Sequence, residues 1–599
     1  MSDSVSWRIR QNGEDLPMTG SPEETLLEAL RRREGPSPDA PCGGKGTCGK
    51  CRVRIIRPES PDREETVLAC ETRPEEGMTV LLSPGGKDVS GSQGDRHRAA
   101  SGTVPVSGPL RTADFSPLPG SLKDQRDDIS RFRTLPGAEN ARVPLSLMEG
   151  LHSRLNGTAP FRAVFRGEDL LEWITPEEPV PLGCFAAADI GTTTVVVYLV
   201  DAAGGKILDI RSEMNSQRSF GADVISRMEH AQKDSGSRRE IRERLTRQLH
   251  RMVLESASAA GIPPEKIRKL VVAANTVMVH LLLELPTDTI CRAPFVPVLL
   301  APDRMPAARA GIPLPGCDLE ILPGLSAYVG ADITAGLAAV ELHKSEELCL
   351  FLDAGTNGEM ALGSREGILA CSTAAGPAFE GAQLSCGTGG VPGAVSRVRK
   401  GPRGLILETI ENRTPAGICG SGIIDALAVC LDLGAVDETG RIDTGFSRPG
   451  FSGLVEPAPP EEGGWRLVLH REGEHQVYLS QKDLREIQLA KAAIAAGIRT
   501  LIGRSGADPG RIGRIYLAGG FGYYINEASA LRVGLIPSFL AGKVVPSGNT
   551  SGWGAVLAGA SVEAMETLRS LPSRIRTLEL SGDPEFQNHY IEEMLFPAV

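Results

Sequence analysis

Three things are missing from this 599-residue sequence, and each absence removes a class of function. There is no excess of basic charge. With 64 Lys and Arg against 75 Asp and Glu, the formal net charge is −11, so the electrostatics give no support to nucleic-acid binding. There is no apolar run fit for a bilayer: the longest, Leu270 to Leu285, is broken by Asn275, Thr276, His280 and Glu284, whereas a spanning helix needs about 20 mostly apolar residues. No membrane partner is expected. Neither is there a signal-peptide pattern at the N-terminus, nor a pairing logic among eight of the twelve cysteines. Free thiols and a cytoplasmic location are therefore the expectation. Length calls for several domains, because single cores stop growing near about 250–300 residues.

What is present centres on Pro41-Cys42-Gly43-Gly44-Lys45-Gly46-Thr47-Cys48-Gly49-Lys50-Cys51, followed by Cys70. The spacing is C-x5-C-x2-C-x18-C. Four thiolates, three of them from one tight loop, suit a 2Fe-2S cluster. Glycines let such a loop adopt unusual φ values and bring backbone N–H groups near the sulfurs. A structural zinc site usually shows two C-x2-C pairs; only one is present here. The spacing resembles adrenodoxin-like ferredoxins and assigns Cys42, Cys48, Cys51 and Cys70 as cluster ligands.

Around this loop, Val5 to Arg10 and Glu14 to Met18 flank Asn12-Gly13, a two-residue hairpin signal. Ser21, Pro22 and Glu24 read as the start of a helix burying Leu26, Leu27 and Leu30. Arg52 to Ile56, Val67 to Cys70 and Val80 to Leu82 read as strands. Together these resemble a β-grasp ferredoxin over residues 1–84. Residues 85–137, rich in Gly, Ser, Asp, Arg and Pro, read as a flexible linker, whose ends a flexible coil would separate by roughly 40 Å. Within it, Asp95-x-His97 is close to a cobalamin-binding motif but lacks the strand-to-helix context, so no cobalt-ligand role is assigned. Residues 138–183 read as a small α+β middle domain, with Leu145, Leu147, Met148 and Leu151 at helical spacing and Phe161 to Phe165 alternating.

From residue 184 the pattern changes. Phe185 to Asp201 reads as strand, Gly191-Thr192-Thr193 turn, strand; Leu348 to Gly363 repeats it around Gly355-Thr356-Asn357, an internal duplication. Such turns expose N–H and hydroxyl groups to phosphate oxygens, and the leading Asp189 and Asp353 can hold hydrated Mg2+. Ile515 to Gly522 is an apolar strand ending in glycines, where Gly519 and Gly520 leave bare backbone beside a nucleoside. In this order the three elements resemble the phosphate-1, phosphate-2 and adenosine motifs of the ASKHA fold of actin, chaperone ATPases and sugar kinases, covering residues 184–599. Asp189, Asp353 and Glu359 are the catalytic candidates, with Asp332 a further acid or base. His280 reads as a core histidine. Cys371, Cys386, Cys419 and Cys430 read as free thiols, and Arg238 to Arg244 as a solvated helix face.

Ferredoxin, linker and ASKHA module together resemble the reductive activators of corrinoid-dependent enzymes, relatives of the O-demethylase activating enzymes. Further stretches carry the likeness: Asn215-Ser216-Gln217, Phe220 to Arg227, Ala274 to His280, Gly376 to Ala382, Gly417 to Gly422 and Met594 to Pro597. Cys386-Gly387-Thr388-Gly389-Gly390 departs from it. The resemblance implies a multidomain α/β protein using a 2Fe-2S cluster, ATP and Mg2+ to return a corrinoid protein of a methyltransferase system from Co(II) to Co(I), fed by an upstream low-potential donor. Monomer and homodimer both stay open. Two other readings compete, a redox-gated kinase of a small metabolite and an ATP-gated scaffold.

Overall fold

The computed structural model describes residues 4–11, 14–33, 51–61, 63–82, 103–106, 110–177, 183–381, 384–459, 463–473 and 475–598, with positions 38, 40, 44 and 46. Asn12, Gly13, Cys42, Cys48 and His97 lie outside them.

At the N-terminus, strands Val5–Gln11 and Glu14–Gly20 pair antiparallel with Gln11 opposite Glu14, as a two-residue connection requires. A five-stranded sheet runs Glu14–Gly20, Val5–Gln11, Thr79–Leu81, Arg52–Ile56, Glu64–Leu68. Helix Leu26–Arg32 covers it, burying Leu26, Leu27 and Leu30 against Trp7, Ile9, Val53, Ile55 and Val80. The helix starts later than its sequence signals place it. Ser21 and Glu24 close a turn of their own, with Ser21 N donating to Glu24 Oε1 at 3.0 Å. Thr25 is the N-cap, in a capping box with Glu28.

The expected linker is shorter than residues 85–137, because part of that stretch is folded. Leu110–Phe115 pairs with Phe161–Arg166, which pairs with Asp169–Ile174, and helices Asp128–Phe132 and Met148–Leu155 accompany this sheet. Phe115, Phe132, Phe161, Phe165 and Trp173 form its core, with Phe132 edge-on to Trp173 at 5.4 Å. The small domain thus begins near residue 110, not 138. Its apolar residues between 110 and 137 are too far apart to show a local period and find partners only in later strands. Leu145 is exposed, since Leu145–Leu147 is a 3-10 turn ahead of the helix. Phe132→Ala is expected to cost about 3–5 kcal/mol in denaturant unfolding of this domain; a linker reading requires no change.

Two six-stranded sheets follow. The first runs Ile207–Met214, Thr194–Asp201, Cys184–Ile190, Ile267–Ala274, Asp318–Ile321, Met305–Pro306. The second places Gly367–Thr373, Gly358–Ser364, Leu348–Ala354, Ile512–Ala518 and Val544–Gly548 in the same relative order, with Ile575–Leu578 outside Gly367–Thr373. In each, three antiparallel strands in chain order are joined on the far side by two parallel ones. The duplication seen in two short turns therefore extends to whole sheets. Helices Ala331–Ala339 and Thr550–Ala560 cross tightly between the halves. A Cβ on Gly554 would lie 2.3 Å from Ala335 O, so glycine is what allows that approach. Among the described residues no helix is long and apolar enough to cross a membrane.

Candidate nucleotide and cluster sites

The two Gly-Thr turns face each other. Gly191 N donates to Thr194 O at 2.9 Å, and Gly355 N to Asn357 O at 3.0 Å, so each hairpin is closed tightly just after its aspartate. Thr193 and Thr356 hydroxyls meet at 3.3 Å. Both donate to one carboxylate oxygen, Glu380 Oε2, at 2.5 and 2.6 Å. Residues from the two halves, 163 positions apart, thus share one acceptor. Thr192 Oγ1 accepts from Asn275 Nδ2 at 3.1 Å, and Asp189 Oδ1 accepts from Ser551 Oγ at 2.8 Å.

Behind the turns lies a crowd of acids. Asp353 stands directly opposite Glu359 across the hairpin, and Asp332 opens helix Ala331–Ala339. Burial above all, then the charges of Asp332, Asp189 and Glu380, pushes the Asp353 carboxyl up to about 8. Burial likewise raises Asp332 to about 6. Glu359 is driven well above the carboxylate range by burial and by Asp332 and Asp353, although Asn357 Nδ2 donates to it at 3.0 Å. Such groups ionise together only when a cation joins them. Among the described residues no three acidic, His or Cys side chains are placed to hold an ion alone. The acids fit Mg2+ in its usual form, which keeps waters and leans on one or two carboxylates and substrate phosphates.

Gly519 reaches the same place. Its φ is +82°, and a Cβ there would lie 2.7 Å from Asp353 Oδ1. Gly520 is exposed, with open space where a Cβ would sit. These residues open helix Gly519–Tyr524 rather than a simple glycine turn. Gly519→Ala is expected to cost about 1–2 kcal/mol from the left-handed backbone and to weaken nucleotide binding by displacing Asp353, measured by denaturation and by titration with a non-hydrolysable analogue.

Two of the four candidate cluster ligands, Cys51 and Cys70, are described in the N-terminal unit. Cys51 Sγ and Cys70 Sγ lie 3.2 Å apart, too far for a disulfide between them and close enough to share one tetrahedral metal. Gly44 and Gly46 have φ of +96° and +76°, left-handed backbone that favours glycine at both positions. These residues fit an iron-sulfur cluster.

Of the sequence candidates, the structure gathers Asp189, Thr192, Thr193, Asp332, Asp353, Thr356, Asn357, Glu359 and Gly519. Glu380, Asn275 and Ser551 were without an assigned role in the sequence. Glu380 lies within Gly376 to Ala382, a stretch that carries the family likeness; the structure shows its Pro377 turn bracketed by Gly376 (φ +77°) and Gly381 (φ +73°). His280 is a satisfied core histidine, bonded to Thr276 O at 2.7 Å and accepting from Val298 N at 3.0 Å. The Arg238–Arg244 face is not wholly solvated, since Arg244 is buried. A cavity of about 410 Å³ between the small domain and the first sheet lies away from these carboxylates. Its Arg142, Arg268 and Arg304 are already paired with Asp169, Glu172 and Asp318.

Three family profiles match: "2Fe-2S iron-sulfur cluster binding domain" over residues 9–75, "RACo middle region" over 184–345 and "C-terminal domain of RACo the ASKHA domain" over 347–599. The corrinoid activation enzyme RamQ of Eubacterium limosum is 30% identical over 590 residues, 96% of each chain. This chain belongs to the RACo family of corrinoid activators. A second relative, the Co(II) methylated amine-specific corrinoid protein reductase of Methanosarcina barkeri, is 30% identical over 262 residues, 40% of this chain and 44% of that protein. The solved structure of a reductive activator for corrinoid, iron-sulfur protein superposes with a TM-score of 0.71 at 29% identity, covering 99% of this chain and 98% of that one. The RACo middle and C-terminal regions meet between the two duplicated sheets, so each region carries one Gly-Thr turn.

Proposed function

We propose that this RACo-family protein uses ATP to drive one-electron reduction of a corrinoid protein of a methyltransferase system, Co(II) to Co(I). What carries the reading is the end-to-end correspondence with RamQ, 96% of both chains, joined to a thiol pair in one unit and facing phosphate turns in another. When bound, the cluster supplies a one-electron carrier, reloaded by a low-potential donor. For a single electron each ~59 mV uphill costs a factor of about ten, so the transfer to cobalt needs a bias. A cleft that closes on nucleotide supplies it if the closed form binds the partner better in its reducible state.

In this account Cys42, Cys48, Cys51 and Cys70 hold the cluster. Gly191, Thr192, Thr193, Gly355, Thr356 and Asn357 bind phosphate oxygens, and Asp189 and Asp353 orient the hydrated Mg2+. Glu359 or Asp332, in its ionised form, accepts a proton from the attacking water; burial raises both carboxyls above their ordinary range and makes each a stronger base. Gly519 and Gly520 lie beside the nucleoside. Cys51, Cys184, Cys291, Cys317, Cys349, Cys371, Cys419 and Cys430 are free thiols, which supports a cytoplasmic site of action. The test against a kinase is where the γ-phosphoryl goes. Expected is release of inorganic phosphate, accelerated by Co(II) corrinoid protein; a phosphorylated metabolite with no corrinoid dependence overturns the reading.

A further inference from the structure

The segment Asn215 to Gly221 touches both machines. On one side it is tied to the first phosphate turn. Asn215 N donates to Thr193 O at 2.8 Å and Asn215 Nδ2 to Gly191 O at 2.8 Å. Arg227, fully buried, donates from Nε to Gly221 O at 3.0 Å and from Nη2 to Thr192 O. Burial lowers its guanidinium to about 9, so it stays charged at neutral pH. On the other side the segment holds the cluster-bearing unit. Arg31, in the last turn of helix Leu26–Arg32, donates to Ser219 O and lies 5.1 Å from the Phe220 ring. Arg244 donates to Arg33 O at 2.7 Å and to Arg31 O at 3.3 Å, meeting the carbonyls that every helix end leaves open.

We propose that nucleotide at the first phosphate turn and docking of the 2Fe-2S unit reinforce each other through the Asn215–Gly221 segment. The inference rests on the reading that Gly191 to Thr193 binds phosphate. Arg227 fixes the Thr192 carbonyl, and in a trans peptide plane this also sets the direction of the Thr193 N–H. Docking steadies the segment that Arg227 and Asn215 share with the turn, so it favours the orientation in which a phosphate is received. Linkage makes the effect reciprocal: whatever factor docking adds to nucleotide affinity, nucleotide adds to docking. The carrier is then held against the body more firmly while nucleotide is bound than after it leaves.

The experiment uses the full-length, cluster-loaded protein and a non-hydrolysable ATP analogue with Mg2+. Arg31→Ala and Arg244→Ala cut the contact from its two sides, and cluster absorbance verifies that the N-terminal unit is intact. Both are expected to weaken analogue affinity by about fivefold or more, the lower end of ordinary allosteric coupling. In the wild-type protein, amide exchange at residues 26–33 is expected to slow when the analogue is added. Unchanged affinity in both variants, or exchange at 26–33 indifferent to the analogue, overturns the proposal. No corrinoid protein enters either measurement, so a failure here is distinct from a failure of cobalt reduction. A wild-type protein that does not bind the analogue at all refutes the phosphate-site reading instead.

Discussion

Cys51→Ser abolishes cobalt reduction, by on the order of 100-fold or more, while ATP hydrolysis persists. Cys51 is 1% exposed and its sulfur sits 3.2 Å from that of Cys70, so the substitution replaces a soft thiolate with a hard hydroxyl at a position with no room to adjust. The measurement is iron and sulfide content beside the Co(I) absorbance band. This variant also separates the competing readings. A scaffold keeps its partner function without the cluster, and a redox-gated kinase keeps phosphorylating but loses its response to reductant. Retained Co(II) reduction in a cluster-free variant contradicts the activator.

Asp353→Asn is expected to lower ATP hydrolysis by roughly 10²–10³-fold, the scale seen when one preorganised electrostatic group is removed from a site. Its effect on stability runs the other way. Burial and three neighbouring acids hold the Asp353 carboxyl up at about 8 in the folded protein, against about 3.9 in an unfolded chain. The folded state therefore binds the extra proton between these values. The stability this proton provides is fully present below about pH 4 and is lost as pH rises toward 8. In metal-free protein the wild type loses thermal stability over that interval, and Asp353→Asn flattens the loss because an amide has no proton to release. Mg2+ with nucleotide restores the wild type, since a cation favours the ionised carboxylate. A melting temperature with the same pH slope in both proteins contradicts this assignment.

Local pattern carried a large part of the architecture. Strand, Gly-Thr turn and strand occur twice in the sequence, and the same hairpins sit in equivalent places of two like sheets. The cysteine loop carried the N-terminal unit. Features decided by distant partners were not legible. Phe115 and Phe132 sit among Arg, Asp and Pro, and their burial depends on Phe161, Phe165 and Trp173. Glu380 becomes part of the site only because two threonines from separate halves converge on it. Arg244 stands in a run of mixed charge that any helix surface could show, and only the docked helix Leu26–Arg32 makes it a cap. Thr25, not Ser21, is the N-cap, although both fit the same local rule.

The claim on which the rest depends is that nucleotide and cluster act on one cobalt. The direct measurement is the rate of Co(I) formation from a Co(II) corrinoid protein at fixed reductant, with and without MgATP, using anaerobically prepared full-length protein. The account requires a rate at least about tenfold higher with ATP, the equivalent of ~59 mV of bias on a single electron. Equal rates with and without nucleotide contradict it.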